Sequence, residues 1–245
     1  LDSVPWNLLE KRYNYYKRAI ITILKTIRVD IKKLEFVKGS DFQLKPEYSY
    51  DVLRLSTFSS VHDATKAASE VVKQIKNPRV SGLIYPLMQA IDEQYLEVDA
   101  QFGGMDQRKI MVYAREVLPK LGYNPRIELI NPLIRGLIGE KMSSSIEATK
   151  IDLLNDEKTV KNKLNKADCV EGNSNNGVMA LLKYFIFVLK QDRGEKFVVE
   201  RLDKYGGNLK YNNYGEVEKD FKDKRLHPLD LKNAVAKEIN LILEN

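Results

Sequence analysis

The most constraining feature of this sequence is an alternation of strand, helix and strand in its first half. Residues 98–104 and 126–133 have β character, and residues 110–121 between them have helical spacing. Parallel strands need a crossover connection, which is usually a helix. Residues 34–37 form a further short strand candidate. The pattern therefore predicts an α/β domain with a largely parallel sheet.

A polar stripe lies on the predicted helix that precedes this unit. Tyr85, Gln89 and Asp92 share one side of the helix at ~100° per residue. The stripe borders an apolar sector on one flank and, on the other, a sector that contains Glu93 and that we expect to face water. A phenol, an amide and a carboxylate at the edge of a core suit a small polar ligand. A solvated helix face is the alternative interpretation.

Two loops offer chemistry for a nucleotide. Gly103 and Gly104 follow a predicted strand, where paired glycines let backbone approach a ligand or turn tightly. Ligands of parallel sheets bind beyond such strand ends. Residues 136–145 read GLIGEKMSSS, and a lysine beside three hydroxyls suits a polyphosphate. A serine-rich surface turn is the alternative for this second segment, called the KMSSS loop below.

The second half of the chain has a helical pattern. Residues 177–189 are apolar on nearly every side and predict a buried helix, and an amphipathic helix ends the chain. Residues 204–214 and 226–233 interleave aromatic residues with lysines, which suits stacking on single-stranded bases. Tyrosines buried under a loop are the alternative. We place the domain boundary between residues 148 and 149.

Composition limits the classes of protein. Lys and Arg exceed Asp and Glu by 40 to 34, a surplus that assists polyanion binding without requiring it. Cys169 is the single cysteine, which favours a reducing compartment. No run of 18 apolar residues is present, so we expect no membrane span. Two histidines and one cysteine lie far apart, and we expect no metal site.

Two segments carry a resemblance to a known family. YPLMQAIDEQYLEVDAQFGGMDQRKI, followed by GEKMSSS, closely resembles tyrosyl-tRNA synthetases of the archaeal and eukaryotic cytoplasmic type. The likeness covers essentially the whole chain. It implies a cytoplasmic, homodimeric class I tyrosine–tRNA ligase. Residues 1–148 would form a Rossmann-type α/β catalytic domain with a helical dimerisation insertion, and residues 149–245 an all-helical anticodon-binding domain.

The resemblance also implies roles for individual residues. L-tyrosine would be bound by Tyr85, Gln89, Asp92 and Gln107, with Asp92 accepting the phenol hydroxyl. ATP, with Mg²⁺ and no bound prosthetic group, would contact Gly103, Gly104, Asp106, Lys141 and Met142. Lys141, Ser143 and Ser144 would act in catalysis. For tRNA(Tyr), Arg108 and Lys109 would meet the acceptor end, and Tyr205, His227 and Asp230 the anticodon.

One departure from the family pattern leaves alternatives open. The match begins downstream of the family's first catalytic strand and its His-x-Gly-His element, so the sequence predicts an incomplete active site. His62 lacks the glycine and the strand-to-helix setting of that element. A non-catalytic RNA-binding or regulatory derivative is therefore a second hypothesis. The related tryptophan enzyme is a third, although the Tyr85 stripe argues against it.

Overall fold

A computed structural model of the protein describes residues 5–72, 79–140, 142 and 146–244. It contains two compact units. One unit is Glu35–Leu133, and the other combines Leu1–Leu34 with Ile134–Asn245. These units do not coincide with the domain boundary predicted at residues 148 and 149, which stays a prediction.

The described helices and strands follow the predicted order closely. The helices are α1 (Leu9–Thr26), α2 (Ser40–Gln43), α3 (Pro46–Thr57), α4 (Val61–Ala68), α5 (Val80–Tyr95), α6 (Arg108–Val117), α7 (Glu157–Lys166), α8 (Gly177–Leu181), α9 (Phe187–Arg193), α10 (Tyr214–Lys222) and α11 (Pro228–Leu243). The strands are β1 (Ala100–Gly104), β2 (Ile127–Asn131), β3 (Phe197–Val199) and β4 (Leu209–Tyr211).

The parallel sheet expected in the unit Glu35–Leu133 is present. β1 and β2 pair in parallel, with Gly104 opposite Asn131, and α6 forms the connection between them. Because the register brings the carboxyl ends of both strands to one edge, the residues after Gly104 lie where parallel sheets bind ligands. Phe102 and Ile127 lie on the exposed face of this pair, at 69% and 64% exposure.

The core of this unit explains how α5 is held. α5 packs against α3, α4 and α6, and Ile91 of α5 is buried with Tyr48 and Leu55 of α3. The alanines of α4 are also buried in contact with these helices. The small-residue face of α4 therefore packs against helices of the same unit.

Two expectations for this unit are wrong. Residues 34–37 form no strand, and the chain instead turns into α2 at Ser40. Glu93 was expected to face water, but it is only 5% exposed. Arg126 and Glu128, at the start of β2, are close enough to Glu93 to shift its pKa. Of the sector that sequence periodicity assigns to solvent, Glu93 is therefore covered, whereas Glu97 is exposed as expected.

The second unit contains a structure that the sequence analysis missed. β3 and β4 pair antiparallel, with Phe197 opposite Tyr211, so the helices of the second half are accompanied by a short ribbon. Both residues are buried in the core of this unit. The expectation of an all-helical C-terminal domain is incomplete in this respect. The two strands have three residues each, too few to show a clear alternation.

The helices of this unit match their predictions to different extents. In α11, Leu231, Val235, Ile239 and Ile242 are all buried, as expected for the terminal amphipathic helix. The apolar segment 177–189 is helical, with a π-helical stretch over Leu182–Ile186. It is not buried all round, since Val188 is 48% exposed. None of the described helices combines the length and apolarity needed to traverse a bilayer.

Candidate active site

The predicted polar stripe forms one cluster with residues that follow β1. Gln89 donates from Nε2 to Oε1 of Gln107 at 3.1 Å. Burial raises the pKa of the Tyr85 phenol, and the carboxylates of Asp92 and Asp106 raise it further. The structure therefore brings together five of the predicted ligand-binding residues: Tyr85, Gln89, Asp92, Asp106 and Gln107.

The two glycines at the end of β1 lie in close contact with neighbouring side chains. The turn Met105–Gln107 starts directly after β1. A Cβ atom on Gly104 would lie 2.6 Å from Oδ1 of Asp106, and one on Gly103 would lie 2.6 Å from Cε of Met111. Glycine is therefore needed at both positions for Asp106 and Met111 to lie this close to the backbone.

An unpaired acceptor lies inside the cluster. Oε1 of Gln89 is buried and has no hydrogen-bond donor within the part of the chain that the structure describes. Buried polar atoms are nearly always partnered, and leaving one unpaired costs about 1–3 kcal/mol. An amide oxygen in this position is suited to a ligand that donates several hydrogen bonds, such as an ammonium group.

Two residues that the sequence analysis missed hold the Asp92 carboxylate. Nε2 of Gln43 lies 2.9 Å from Oδ1 and 3.1 Å from Oδ2, and the Tyr48 hydroxyl lies 2.7 Å from Oδ1. Burial raises the pKa of Asp92, while the donors Gln43 and Tyr48 oppose the rise. Both donors lie more than 40 positions upstream of Asp92, so no local spacing connects them.

A second buried carboxylate supports the helix from another side. Asp51 of α3 is 4% exposed and accepts hydrogen bonds from the hydroxyls of Tyr95 and Tyr123. Arg54 lies 3.4 Å from the same carboxylate. These contacts join the end of α5 to α3 and to the segment before β2.

The two predicted acceptor-end residues differ in their surroundings. Arg108 is exposed at the start of α6. Lys109 donates to Oε1 of Glu70 and to Oγ of Ser69, both at 2.7 Å. An incoming nucleic acid would have to compete with Glu70 for the Lys109 ammonium group.

The KMSSS loop is described only in part. Lys141, Ser143 and Ser144 lie outside the described residues. Before them, the Gly139 amide donates to Oδ2 of Asp168 at 2.7 Å, and the Asp168 amide donates to the Leu137 carbonyl at 2.7 Å. Met142, the one described residue of the motif itself, has its amide 3.5 Å from the Ile134 carbonyl.

The three predicted anticodon residues lie on two segments that Arg201 connects. Arg201 donates to the carbonyls of Gly207 and Arg225, at 3.0 and 3.3 Å. The Gly207 carbonyl follows the turn that contains Tyr205, and the Arg225 carbonyl lies just before His227 in the chain. Tyr205 is 61% exposed, and its ring lies 4.9 Å from the ammonium of Lys204.

His227 and Asp230 belong to the start of α11. The His227 side chain caps the helix by accepting from the Leu229 amide at 3.2 Å. Asp230 lies in the first turn, where a carboxylate interacts favourably with the helix dipole. An exposed aromatic ring, an imidazole and a carboxylate on two connected segments can stack on bases and accept hydrogen bonds from base edges.

The fold is that of a class I aminoacyl-tRNA synthetase, and sequence comparison gives the family. A family model for tRNA synthetases class I (W and Y) matches residues 2–244. The chain belongs to that family.

Individual relatives show which members of the family the chain is similar to. The chain is 52% identical over 247 residues to the cytoplasmic tyrosine–tRNA ligase of Gallus gallus, covering 100% of this chain and 46% of that protein. It is 47% identical to the cytoplasmic enzyme of Saccharomyces cerevisiae, covering 100% of this chain and 64% of that protein. It thus spans about half to two thirds of the length of these relatives.

A solved structure agrees with the sequence comparison. The tyrosyl-tRNA synthetase of Archaeoglobus fulgidus, complexed with L-tyrosine, matches with a TM-score of 0.84 at 40% identity. The match covers 93% of this chain and 70% of that one.

Proposed function

We propose that this chain acts in a tyrosine–tRNA ligase, which activates L-tyrosine with ATP and transfers it to tRNA(Tyr). The observation that carries the proposal is the cluster around Asp92. A half-buried, hydrogen-bonded carboxylate, a phenol and an amide with an unpaired oxygen lie beside a strand that ends in two glycines. The names of the relatives support the same activity.

Tyrosine binding follows from the chemistry of the cluster. Asp92 accepts a hydrogen bond from the substrate phenol. Tyr85 and the unpaired Oε1 of Gln89 bind the substrate ammonium, and Gln107, already bonded to Gln89, lies near the carboxyl group. Phenylalanine cannot donate to Asp92, so its ring would cover this carboxylate and leave it with one partner fewer.

ATP binds beside the end of β1. Gly103 and Gly104 let the nucleotide approach the backbone, and Asp106 binds the ribose hydroxyls. Lys141, Met142, Ser143 and Ser144 contact the triphosphate. Mg²⁺ enters with ATP as part of the substrate.

The reaction has two steps, and the chain acts on both through binding and charge. The tyrosine carboxylate attacks the α-phosphorus of ATP, forming a carboxylate–phosphate bond as the bond to pyrophosphate breaks. Lys141 and the neighbouring serines stabilise the charge that leaves on pyrophosphate. A hydroxyl at the 3′ end of tRNA then attacks the tyrosyl carbonyl, and AMP leaves.

Contacts with tRNA lie at two places on the chain. Arg108 and Lys109 meet the acceptor end, where Lys109 exchanges Glu70 for the nucleic acid. Tyr205 and His227 stack on anticodon bases, and Asp230 accepts from a guanine edge. The protein works as a homodimer in the cytoplasm, in line with the cytoplasmic enzymes that it resembles.

The test is amino-acid-dependent ATP–pyrophosphate exchange on the full-length protein. We expect exchange with tyrosine and none with tryptophan, the substrate of the related enzymes in the family. A folded full-length protein that exchanges with neither amino acid would favour a non-catalytic RNA-binding role. Exchange with tryptophan alone would assign the site to the tryptophan-specific enzymes of the family.

A further inference from the structure

We propose that Gln43 and Tyr48 are positioning residues that hold the Asp92 carboxylate and leave its Oδ2 atom to accept the substrate phenol. They would thereby set the preference for tyrosine over phenylalanine. The inference rests on the proposed tyrosine site. It adds two residues from α2 and α3 to a site otherwise built from α5 and the turn after β1.

The hydrogen bonds to Asp92 are unequal. Oδ1 lies 2.7 Å from the Tyr48 hydroxyl and 2.9 Å from Nε2 of Gln43. Oδ2 lies 3.1 Å from Nε2 of Gln43 and has no other donor in the described chain. An ionised carboxylate has about four acceptor sites. Oδ1 is therefore largely occupied, and Oδ2 retains the capacity to accept from a ligand.

Packing holds the Tyr48 ring in place and anchors the helix that carries Gln43. Tyr48 is 1% exposed, and its ring meets those of Tyr95 and Phe42 edge to face at 5.0 and 5.7 Å. Phe42 is itself buried, which fixes α2 and so places Gln43. The Tyr48 hydroxyl also lies 3.0 Å from the Met88 carbonyl. Its single proton favours the shorter, charge-assisted bond to Asp92.

The two donors also favour the ionised form of Asp92. The titratable groups close enough to interact with this carboxylate are the phenols of Tyr48 and Tyr85 and the acid of Glu93. The two phenols are neutral at physiological pH and Glu93 is an acid, so these groups provide no cation. Gln43 and Tyr48 are the donors that oppose the effect of burial on the pKa of Asp92.

The experiment replaces each donor in the full-length protein by a side chain of similar size without one, Tyr48→Phe and Gln43→Met. Exchange kinetics with tyrosine and with phenylalanine are measured between pH 5.5 and 8.5. We expect Tyr48→Phe to reduce the ratio of kcat/KM for tyrosine to that for phenylalanine by about 10-fold or more, as for a lost charged hydrogen bond. The loss should appear mainly in KM for tyrosine. The rise of that KM at low pH should begin at a higher pH than in the wild type.

A matched control is Tyr113→Phe. It removes another buried tyrosine hydroxyl of the same unit, one that is bonded to Ser59 and not to Asp92. We expect the control to keep the wild-type ratio and pH profile. Equal losses for tyrosine and phenylalanine in Tyr48→Phe, or an unchanged ratio in both donor variants, would overturn the proposal.

A second measurement separates this inference from the proposed function. The carboxyl ¹³C resonance of Asp92 is titrated in the ligand-free protein, which requires no activity. A higher pKa for Asp92 in Gln43→Met or Tyr48→Phe than in the wild type supports the positioning role. An unchanged pKa in both variants contradicts it, whatever the substrate proves to be. Absence of tyrosine exchange in the wild type would contradict the proposed function alone.

Discussion

At the scale of single residues, the carboxylates of the unit Glu35–Leu133 differ in burial and in their donors. Asp92 is half-buried and has Gln43 and Tyr48 as side-chain donors, whereas Glu93 is 5% exposed and burial raises its pKa. A buried acid remains ionised only at a cost in free energy. Asp92 and Glu93 therefore predict different responses to mutation and to pH.

The first prediction concerns Asp92. We expect Asp92→Ala to weaken tyrosine binding in the full-length protein far more than phenylalanine binding, because only tyrosine donates to this carboxylate. A lost hydrogen bond to a charged group corresponds to about 1.5–3 kcal/mol. Equilibrium binding of both amino acids measures the difference. Asp99→Ala, at an exposed position after α5, is the control, and equal losses for both ligands would refute the role of Asp92.

The second prediction concerns Glu93, whose pKa is raised to about 7, chiefly by burial and then by Glu128. An acid with a raised pKa binds more protons in the folded state than in the unfolded state. Stability is therefore lost as the pH rises from the unfolded value near 4.5 through 7. We expect Glu93→Gln to raise the Tm at pH 8.5. The corresponding gain in the free energy of unfolding is at most about 3 kcal/mol.

At pH 5, where Glu93 is already protonated, the same substitution should change the Tm little. Glu97→Gln, exposed one turn further along, serves as the control and should have no pH-dependent effect. Thermal unfolding at the two pH values measures both variants. Equal effects of Glu93→Gln at pH 5 and 8.5 would show that its titration does not affect stability.

At the scale of elements, the start of α8 supports the segment that leads into the KMSSS loop. A Cβ atom on Gly177 would lie 2.1 Å from the Gly136 carbonyl oxygen and 3.0 Å from Cα of Leu137. Leu137 is fully buried in the same core. Since backbone cannot yield as a flexible side chain can, only glycine allows the segment to pack this closely on α8.

A third prediction follows from this contact. We expect Gly177→Ala to destabilise the protein by several kcal/mol, or to displace the segment 136–139 and raise KM for ATP. The comparison is Gly194→Ala, where φ is +65° and the added Cβ meets nothing within 4 Å. That variant should lower the free energy of unfolding by about 1 kcal/mol, because only the left-handed backbone conformation disfavours alanine there. Chemical denaturation measures both, and equal effects would remove the steric argument.

At the scale of the whole molecule, the proposal places tyrosine binding and anticodon recognition in different units. The tyrosine cluster lies in the unit Glu35–Leu133, and the anticodon residues lie in the other unit. Each set has its own core. Substitutions in one set should therefore affect one partial reaction and leave the other unchanged.

The fourth prediction tests this separation. We expect Asp230→Ala in the full-length protein to reduce tRNA aminoacylation by about 10-fold or more through a lost base contact, worth about 1–3 kcal/mol. Tyrosine-dependent ATP–pyrophosphate exchange should remain at the wild-type rate. Asp223→Ala, at an exposed position before α11, is the control. Loss of both activities in Asp230→Ala would contradict the anticodon assignment.

Much of the local structure followed from the sequence because its causes are local. The periodicity of α5 placed Tyr85, Gln89 and Asp92 on one side, and paired glycines marked the end of β1. Gly122, in the left-handed conformation, ends the turn after α6, directly after the predicted helical segment 110–121. The family motifs added the chemistry that composition and spacing left open.

Only the tertiary structure decided which groups meet these residues. Gln43 and Tyr48 reach Asp92 across more than 40 residues, and Glu93 is buried because the start of β2 lies beside it. The β3–β4 ribbon likewise depends on strands that pair across nine intervening residues and were too short to predict. Sequence spacing determines the direction of a side chain on its own helix. Its burial and its hydrogen-bond partners depend on segments that folding brings together from far along the chain.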